Sequence, residues 1–291
     1  MLKVPHYFDS FIIMHSPTPI SIPTPTPTAF AGSIPENYDR YLGPLLFEPY
    51  ALDLVSRIDP RQAQTVLEIA CGTGRVTRHL RSTLLPSAQL MATDINPDMI
   101  AVAKSALNDE TITWATADAQ ALPFPDGSFD LVVCQYGLMF VPDKPKAFAE
   151  AFRVLKNGGI FLFNTWDKIR HNSFMHTGAD VVAGFFADNP PVFFKTPFSM
   201  YDEQELYSLA ATAGFRNAQV RLVKIDCSSS NALDIANGIV KGNPIYNEIK
   251  AGGEQNIQKM IDAVEKAISA KHGDHPVKGT LQAFVCKAEK I

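Results

Sequence analysis

Two glycines one residue apart close the string Val66-Leu67-Glu68-Ile69-Ala70-Cys71-Gly72-Thr73-Gly74-Arg75. An apolar run that carries one acid and breaks into such a turn offers bare backbone for a ligand to press against. Two acids follow it in order, Asp94 and Asp118. A carboxylate accepts several hydrogen bonds, so each suits a ligand that presents a diol or an amine. His171 and His176 titrate near neutrality and are the candidates for taking a proton from an acceptor hydroxyl or ring nitrogen. Cys71, Cys134, Cys227 and Cys286 form no Cys-x-x-Cys pair, so neither a zinc site nor a disulfide framework is expected.

These residues need a frame, and the chain spells one. "TVLEIA" reads as a strand entering the glycine turn, Arg75 to Leu85 as a helix, and "AQLMATDI" as a second strand ending at Asp94. "NPDMIAVAKSAL" is a helix with Pro97 at its first position, and "TITWATAD" is a third strand. "SFDLVVCQY", "KPKAFAEAFRVL" and "GGIFLFNTW" continue the rhythm as strand, helix and strand. Such alternation builds a mostly parallel sheet covered on both faces by right-handed crossovers. Upstream, "PENYDRYLGPLLFEPYALDLVSRI" predicts one or two helices with Tyr38 and Tyr41 on one side. Downstream, residues 167–200 are crowded with phenylalanine and proline, without a clean period, and read as an insertion over the sheet edge. "DEQELYSLAATAG" resumes as a helix, "FRNAQVRLVKI" and "TLQAFVCKAEK" are strands, and a helical insertion over about 232–271 lies between them.

Three ligands compete for the turn. A dinucleotide fingerprint needs a third small residue where Thr77 stands, although Asp94 sits where its ribose acid belongs. A phosphate loop would need Gly-Lys-Ser/Thr, which is absent. S-adenosylmethionine satisfies both facts, because its ribose needs a carboxylate and it has no pyrophosphate to seat on the helix.

The ordered segments resemble the class I S-adenosylmethionine-dependent methyltransferases, in particular the small-molecule "type 11" group. The resemblance rests on "VLEIACGTGR", "ATDINPDMI", "ADAQALPFPDGSFD" and "VVCQYGLMFVPDKPKAFAEAFRVLKNGG", and is strong over residues 65–166. It implies an α/β, Rossmann-like, doubly wound seven-stranded sheet with the last strand antiparallel, a helical cap and insertions. It further implies that Glu68 lies under the methionine ammonium, that Ala70, Gly72 and Gly74 give backbone approach, and that Asp94 binds the ribose. Ile95 and Met99 would pack on adenine, Asp118 and the Ala119 backbone would meet its amino group, and Gln135 would lie near the methionine end. Tyr38 joins them from the cap. Ala70 replaces the glycine of many members, a mild change for so small a side chain.

A decoy lies in the first insertion. Asn189-Pro190-Pro191 resembles the Asn-Pro-Pro-aromatic motif of amine methylators, but that motif works at the end of the fourth strand, where this chain has Cys134-Gln135-Tyr136-Gly137. It reads as loop punctuation.

Composition bounds the rest. The 291 residues suit one α/β methyltransferase domain over 33–291, behind a Pro/Thr-rich flexible tail over 1–32 without the marks of a signal peptide. A formal net charge of -4 gives no electrostatic footprint for nucleic acid. No apolar run is long enough for membrane insertion, and the scattered cysteines suit a reduced, cytoplasmic setting. No feature sets an oligomeric state. The expected reaction is transfer of a methyl group from S-adenosylmethionine to a small, apolar or aromatic acceptor, motivated by Phe174, Phe185, Phe186, Phe193, Phe194 and Phe198 in the insertion. An NAD-type oxidoreductase and a cofactor-binding module without catalysis are the rival readings.

Overall fold

The computed structural model describes residues 30–186, 191, 193–251 and 253–291. A helical cap comes first: α1 (Ile34–Asn37), a wide π-wound stretch Tyr38–Phe47, and α2 (Glu48–Ser56). Pro44 lies inside the wide stretch, where it cannot donate to an ordinary helical ladder and the looser winding accommodates it.

Strand and helix then alternate as β1 (Thr65–Glu68), α3 (Arg75–Thr83), β2 (Gln89–Asp94), α4 (Pro97–Leu107), β3 (Ile112–Thr116), β4 (Phe129–Gln135), α5 (Lys144–Val154) and β5 (Leu155–Trp166). Helix starts follow local chemistry. The Asn96 side chain accepts from the Asp98 N–H at 2.9 Å ahead of Pro97, and Asp143 caps α5 through the Lys146 N–H at 3.0 Å. The second half carries α6 (Ser173–Phe185), α7 (Glu203–Ala213), β6 (Arg216–Ser229), α8 (Ala232–Lys241), α9 (Ile245–Ala251), α10 (Gln255–His272) and β7 (Val277–Glu289).

The seven strands form one sheet in the order β3-β2-β1-β4-β5-β7-β6. β1 to β5 pair in parallel, while β7 runs antiparallel to both β5 and β6, so the last strand is antiparallel as the resemblance implied. The order reverses between β1 and β4, and at such a switch point the strand ends part to leave a crevice. The central strands are buried on both faces, from Leu131 to Cys134 in β4 and Phe161 to Phe163 in β5.

Two expectations need correction. The aperiodic insertion over 167–200 contains the thirteen-residue helix α6. It was hidden because Gly178 stands where a large apolar residue would mark the buried face; a Cβ there would lie 2.5 Å from Ile239 Cδ1, so α6 and α8 meet at backbone distance. The tail was drawn to residue 32, yet Phe30 packs against the core; the remainder of it, residues 1–29, lies outside the described residues. So do Asn189 and Pro190 of the Asn-Pro-Pro string. Among the described residues no helix is long and apolar enough to cross a membrane.

Candidate active site

The two glycines of the turn do different work. Gly72 has φ 55°, and a Cβ on it would meet nothing within 4 Å, so it leaves a stretch of bare wall. Its N–H donates to Asp94 Oδ2 at 2.8 Å. Gly74, at φ 79°, caps α3, and a Cβ there would stand 3.0 Å from Ala103 Cβ and 3.1 Å from Leu107 Cδ1. Its smallness lets α3 approach α4, and it does not line the cavity below. Ala70 also lies in the left-handed region, at φ 53°, which costs an L-residue about 1–2 kcal/mol. Replacing glycine by alanine here is therefore a strained change rather than the mild one expected.

The crevice holds a cavity of about 340 Å³ whose walls include Tyr38, Ala70, Gly72, Asp94, Ile95 and Met99, together with Asp118, Ala119 and Gln135. That volume is in the range of small-molecule sites. Asp94 is buried, and its second oxygen accepts from the Asn96 N–H at 2.8 Å. Burial pushes its carboxyl above the usual range, while the backbone donors Asn96, Gly72 and Ile95 pull it back. These three donors leave part of the carboxylate's acceptor capacity for a ligand hydroxyl. Ile95 is 43% exposed and gives the cavity an apolar ledge. Asp118 accepts from the Gln120 N–H at 2.8 Å, and the Gln120 amide closes on the same carboxylate. Gln135 Nε2 donates to the Phe47 carbonyl at 3.0 Å and so ties the end of β4 to the cap.

Glu68 does not line the cavity. It lies beneath the turn at the end of β1, 1% exposed, and its Oε2 has no hydrogen-bond partner among the described residues. Burial pushes its carboxyl up to about 8, and the neighbouring Asp94 charge adds to the push. An orphaned buried acceptor between a bare turn and a second acid fits a ligand that brings a cation. The donor set therefore suits the ammonium, ribose and base of S-adenosylmethionine.

A second, smaller cavity of about 40 Å³ adjoins the first and shares Phe30, Tyr38, Tyr136 and Phe140 with it. Phe47, Trp166, Phe193 and Phe198 add four more rings to its lining, beside aliphatic residues such as Leu42 and Met175 and the amides of Asn172 and Asn243. Tyr136 stacks on Trp166 at 3.8 Å between centroids and 6° between planes. Like Ala70, Tyr136 has φ 53°. Two left-handed non-glycine residues at neighbouring strand ends concentrate backbone strain where the cavities meet. Gly137 is small by necessity, because a Cβ there would lie 2.4 Å from Ala70 Cβ. Tyr136, Trp166 and Phe30 were not singled out from sequence; the Tyr-Gly pair closing the fourth strand was the available signal.

His171 and His176 are not brought to the site. His171 Nδ1 pairs with Asp167 Oδ2 at 2.5 Å, and His176 faces Asp180 at 3.6 Å along α6; neither lines either cavity. Of the six phenylalanines, Phe193 and Phe198 face the smaller cavity. Phe174 is buried against Gly279 and His272, Phe194 packs on Phe193, and Phe185 is 48% exposed. The four cysteines are free thiols; burial pushes Cys134 up to about 12, far from a reactive thiolate. Among the described residues no cluster of His, Cys, Asp or Glu could hold a metal.

Comparison with known proteins bears on this geometry. Residues 67–163 match the family model described as a methyltransferase domain. A ubiquinone/menaquinone biosynthesis C-methyltransferase of Psychromonas ingrahamii is 41% identical over 106 residues, 35% of this chain and 42% of that protein. A demethylmenaquinone methyltransferase of Lactococcus lactis is 35% identical over 133 residues, 44% of this chain and 53% of that protein. The chain thus spans about half the length of the curated relatives it matches. Among solved structures, the YcgJ protein of Bacillus subtilis has a TM-score of 0.55 at 19% identity, covering 83% of this chain and 98% of that one. Haemonchus contortus phosphoethanolamine N-methyltransferase 2, solved with S-adenosyl-L-methionine, has a TM-score of 0.57 at 17% identity, covering 91% and 58%. At such identities the structural likeness speaks for the fold alone. Motifs, strand order and sequence matches agree: over residues 67–163 this chain carries the methyltransferase domain of the class I S-adenosylmethionine-dependent family.

Proposed function

We propose that the chain transfers a methyl group from S-adenosylmethionine to a small, planar, largely apolar acceptor. The observation that carries this reading is the junction of the two cavities. A larger one with acids and bare backbone shares four aromatic residues with a smaller one whose lining is mostly aromatic and aliphatic.

In this reading Asp94 accepts from both ribose hydroxyls, its orientation already set by the Gly72 and Asn96 N–H groups. Ile95 and Met99 hold the base, with Asp118 and the Ala119 backbone at its amino edge. Glu68 compensates the ammonium from below, and Tyr38 and Gln135 close the methionine end. When bound, the cofactor supplies a methyl already activated on a sulfonium, so the protein has only to align the acceptor and exclude water. Phe47, Tyr136, Trp166 and Phe198 supply that dry, flat enclosure. An enclosed cavity of this kind favours a small molecule over a polynucleotide. The relatives' names speak of C-methylation in ubiquinone and menaquinone biosynthesis, which agrees with a planar acceptor.

The test is formation of S-adenosylhomocysteine across a metabolite panel, with NAD binding measured in parallel. Turnover confined to aromatic or apolar acceptors is the expected result. Turnover only with polar aliphatic amines refutes the acceptor assignment, and tight NAD binding without S-adenosylmethionine binding refutes the enzyme class. Cofactor binding with no turnover across a broad panel identifies a binding module.

A further inference from the structure

The smaller cavity, at about 40 Å³, holds a few water-sized spheres. A cavity that admits benzene is on the order of 150 Å³. A ring therefore enters only if a side chain yields.

Four residues line both cavities; two of them are held by ring stacking and a third sits in a helical turn. Tyr38 stacks on Phe47 at 4.6 Å, Tyr136 on Trp166 at 3.8 Å, and Phe140 belongs to the short 3-10 turn Leu138–Phe140 between β4 and α5. Phe30 is held differently. It precedes α1 in irregular backbone, is only half-buried, and meets Tyr38, Phe140 and Phe193 edge-on at 5.8, 6.1 and 6.3 Å. Its carbonyl accepts from Asn96 Nδ2 at 2.8 Å. Asn96 in turn donates its backbone N–H to Asp94 at 2.8 Å, so the main chain at Phe30 is tied to the Asp94 loop while its ring is not.

We propose that Phe30 is a specificity-determining partition: its ring fills acceptor space between the two cavities and swings aside to admit a planar ring. The proposal rests on the acceptor reading above. It makes Phe30 the residue that sets the largest ring accepted.

Trp166 lines the smaller cavity and serves as an internal reporter once Trp114 is replaced by phenylalanine. Fluorescence titrations with phenol and 1-naphthol would compare that background with added Phe30→Ala and Phe30→Leu, and calorimetry with 1-naphthol would compare it with Phe30→Trp, whose own indole would mask Trp166. The expected result is 1-naphthol binding about tenfold tighter in Phe30→Ala, a smaller gain for phenol, an intermediate gain in Phe30→Leu, and weaker binding in Phe30→Trp. Equal 1-naphthol affinity in all four overturns the partition, and the Leu and Trp variants keep that outcome readable if the alanine variant folds poorly. Calorimetry with S-adenosylhomocysteine on the same proteins separates the two ideas. Failure of that ligand to bind any of them refutes the methyltransferase reading, whereas the naphthol series alone decides the partition.

Discussion

The two cavities share a wall but are built in opposite ways. Apart from Phe30 and Tyr38, the larger one is lined between residues 70 and 142, from the ends and following loops of adjacent strands. The smaller one draws on residues from Phe30 to Leu281, gathered from the cap, two strands, the first insertion and the C-terminal strand. One is therefore a property of a short stretch of chain, the other a property of the whole tertiary packing. Substitutions in the first should change ligand affinity with little effect on folding, and substitutions in the second should do the reverse.

The largest expected effect falls on the second. Trp166 is buried and stacked on Tyr136, so Trp166→Ala should cost about 3–5 kcal/mol of stability in denaturant unfolding. Its folded fraction should bind S-adenosylhomocysteine as the parent does. A loss below about 1 kcal/mol would show that the aromatic wall is not part of the core.

Glu68 gives the next effect, and its sign can be worked out. Below about pH 4.5 the carboxyl is protonated in folded and unfolded chains alike and costs nothing. Between about 4.5 and 8 the unfolded chain is ionised while the folded one holds its proton, so stability falls as pH rises. Above about 8 the penalty is constant. Glu68→Gln should therefore gain on the parent by up to a few kcal/mol over that window. Binding a cationic ligand should release the proton, visible as a buffer-dependent heat in calorimetry; a pH-independent difference and no proton release would contradict the cation assignment.

Asp94→Ala should weaken S-adenosylmethionine binding by about 1.5–3 kcal/mol and change 1-naphthol binding in the smaller cavity far less, since it reaches that cavity only through Asn96 and the Phe30 main chain. If both ligands weaken equally, the contrast between the cavities collapses. The smallest effect belongs to Ala70→Gly, which relieves the strain at φ 53° and should raise stability by up to about 1 kcal/mol. A loss of stability would mean that the methyl's packing outweighs the strain.

The same contrast explains what was legible. β1, β2 and β4 are short apolar runs bounded by turn residues, so strand ends, and the residues just beyond them, could be read from pattern alone. The family resemblance then supplied the residues at those ends, and nine of the proposed cofactor residues, Tyr38 of the cap among them, line the larger cavity. Glu68 and Gly74 lie in the expected segment but off the cavity wall: alternation along a strand does not say how deep Glu68 is buried, and Gly74 is spent on packing α3 against α4. On the acceptor side, pattern failed. Phe174 was grouped with Phe193, yet its ring is pinned against Gly279, a contact between residues a hundred positions apart. His171 was placed near the acceptor by its position after β5, but it pairs with Asp167 and lines neither cavity. The strain at Tyr136 and the role of Phe30 arise from contacts that no local spacing encodes.

The most direct test is a crystal structure with S-adenosylhomocysteine. The account predicts both ribose hydroxyls within hydrogen-bond distance of Asp94, about 2.5–3.2 Å, and the sulfur at the opening toward Tyr136 and Phe30. A ribose held elsewhere, or a sulfur facing away from the aromatic cavity, would contradict it.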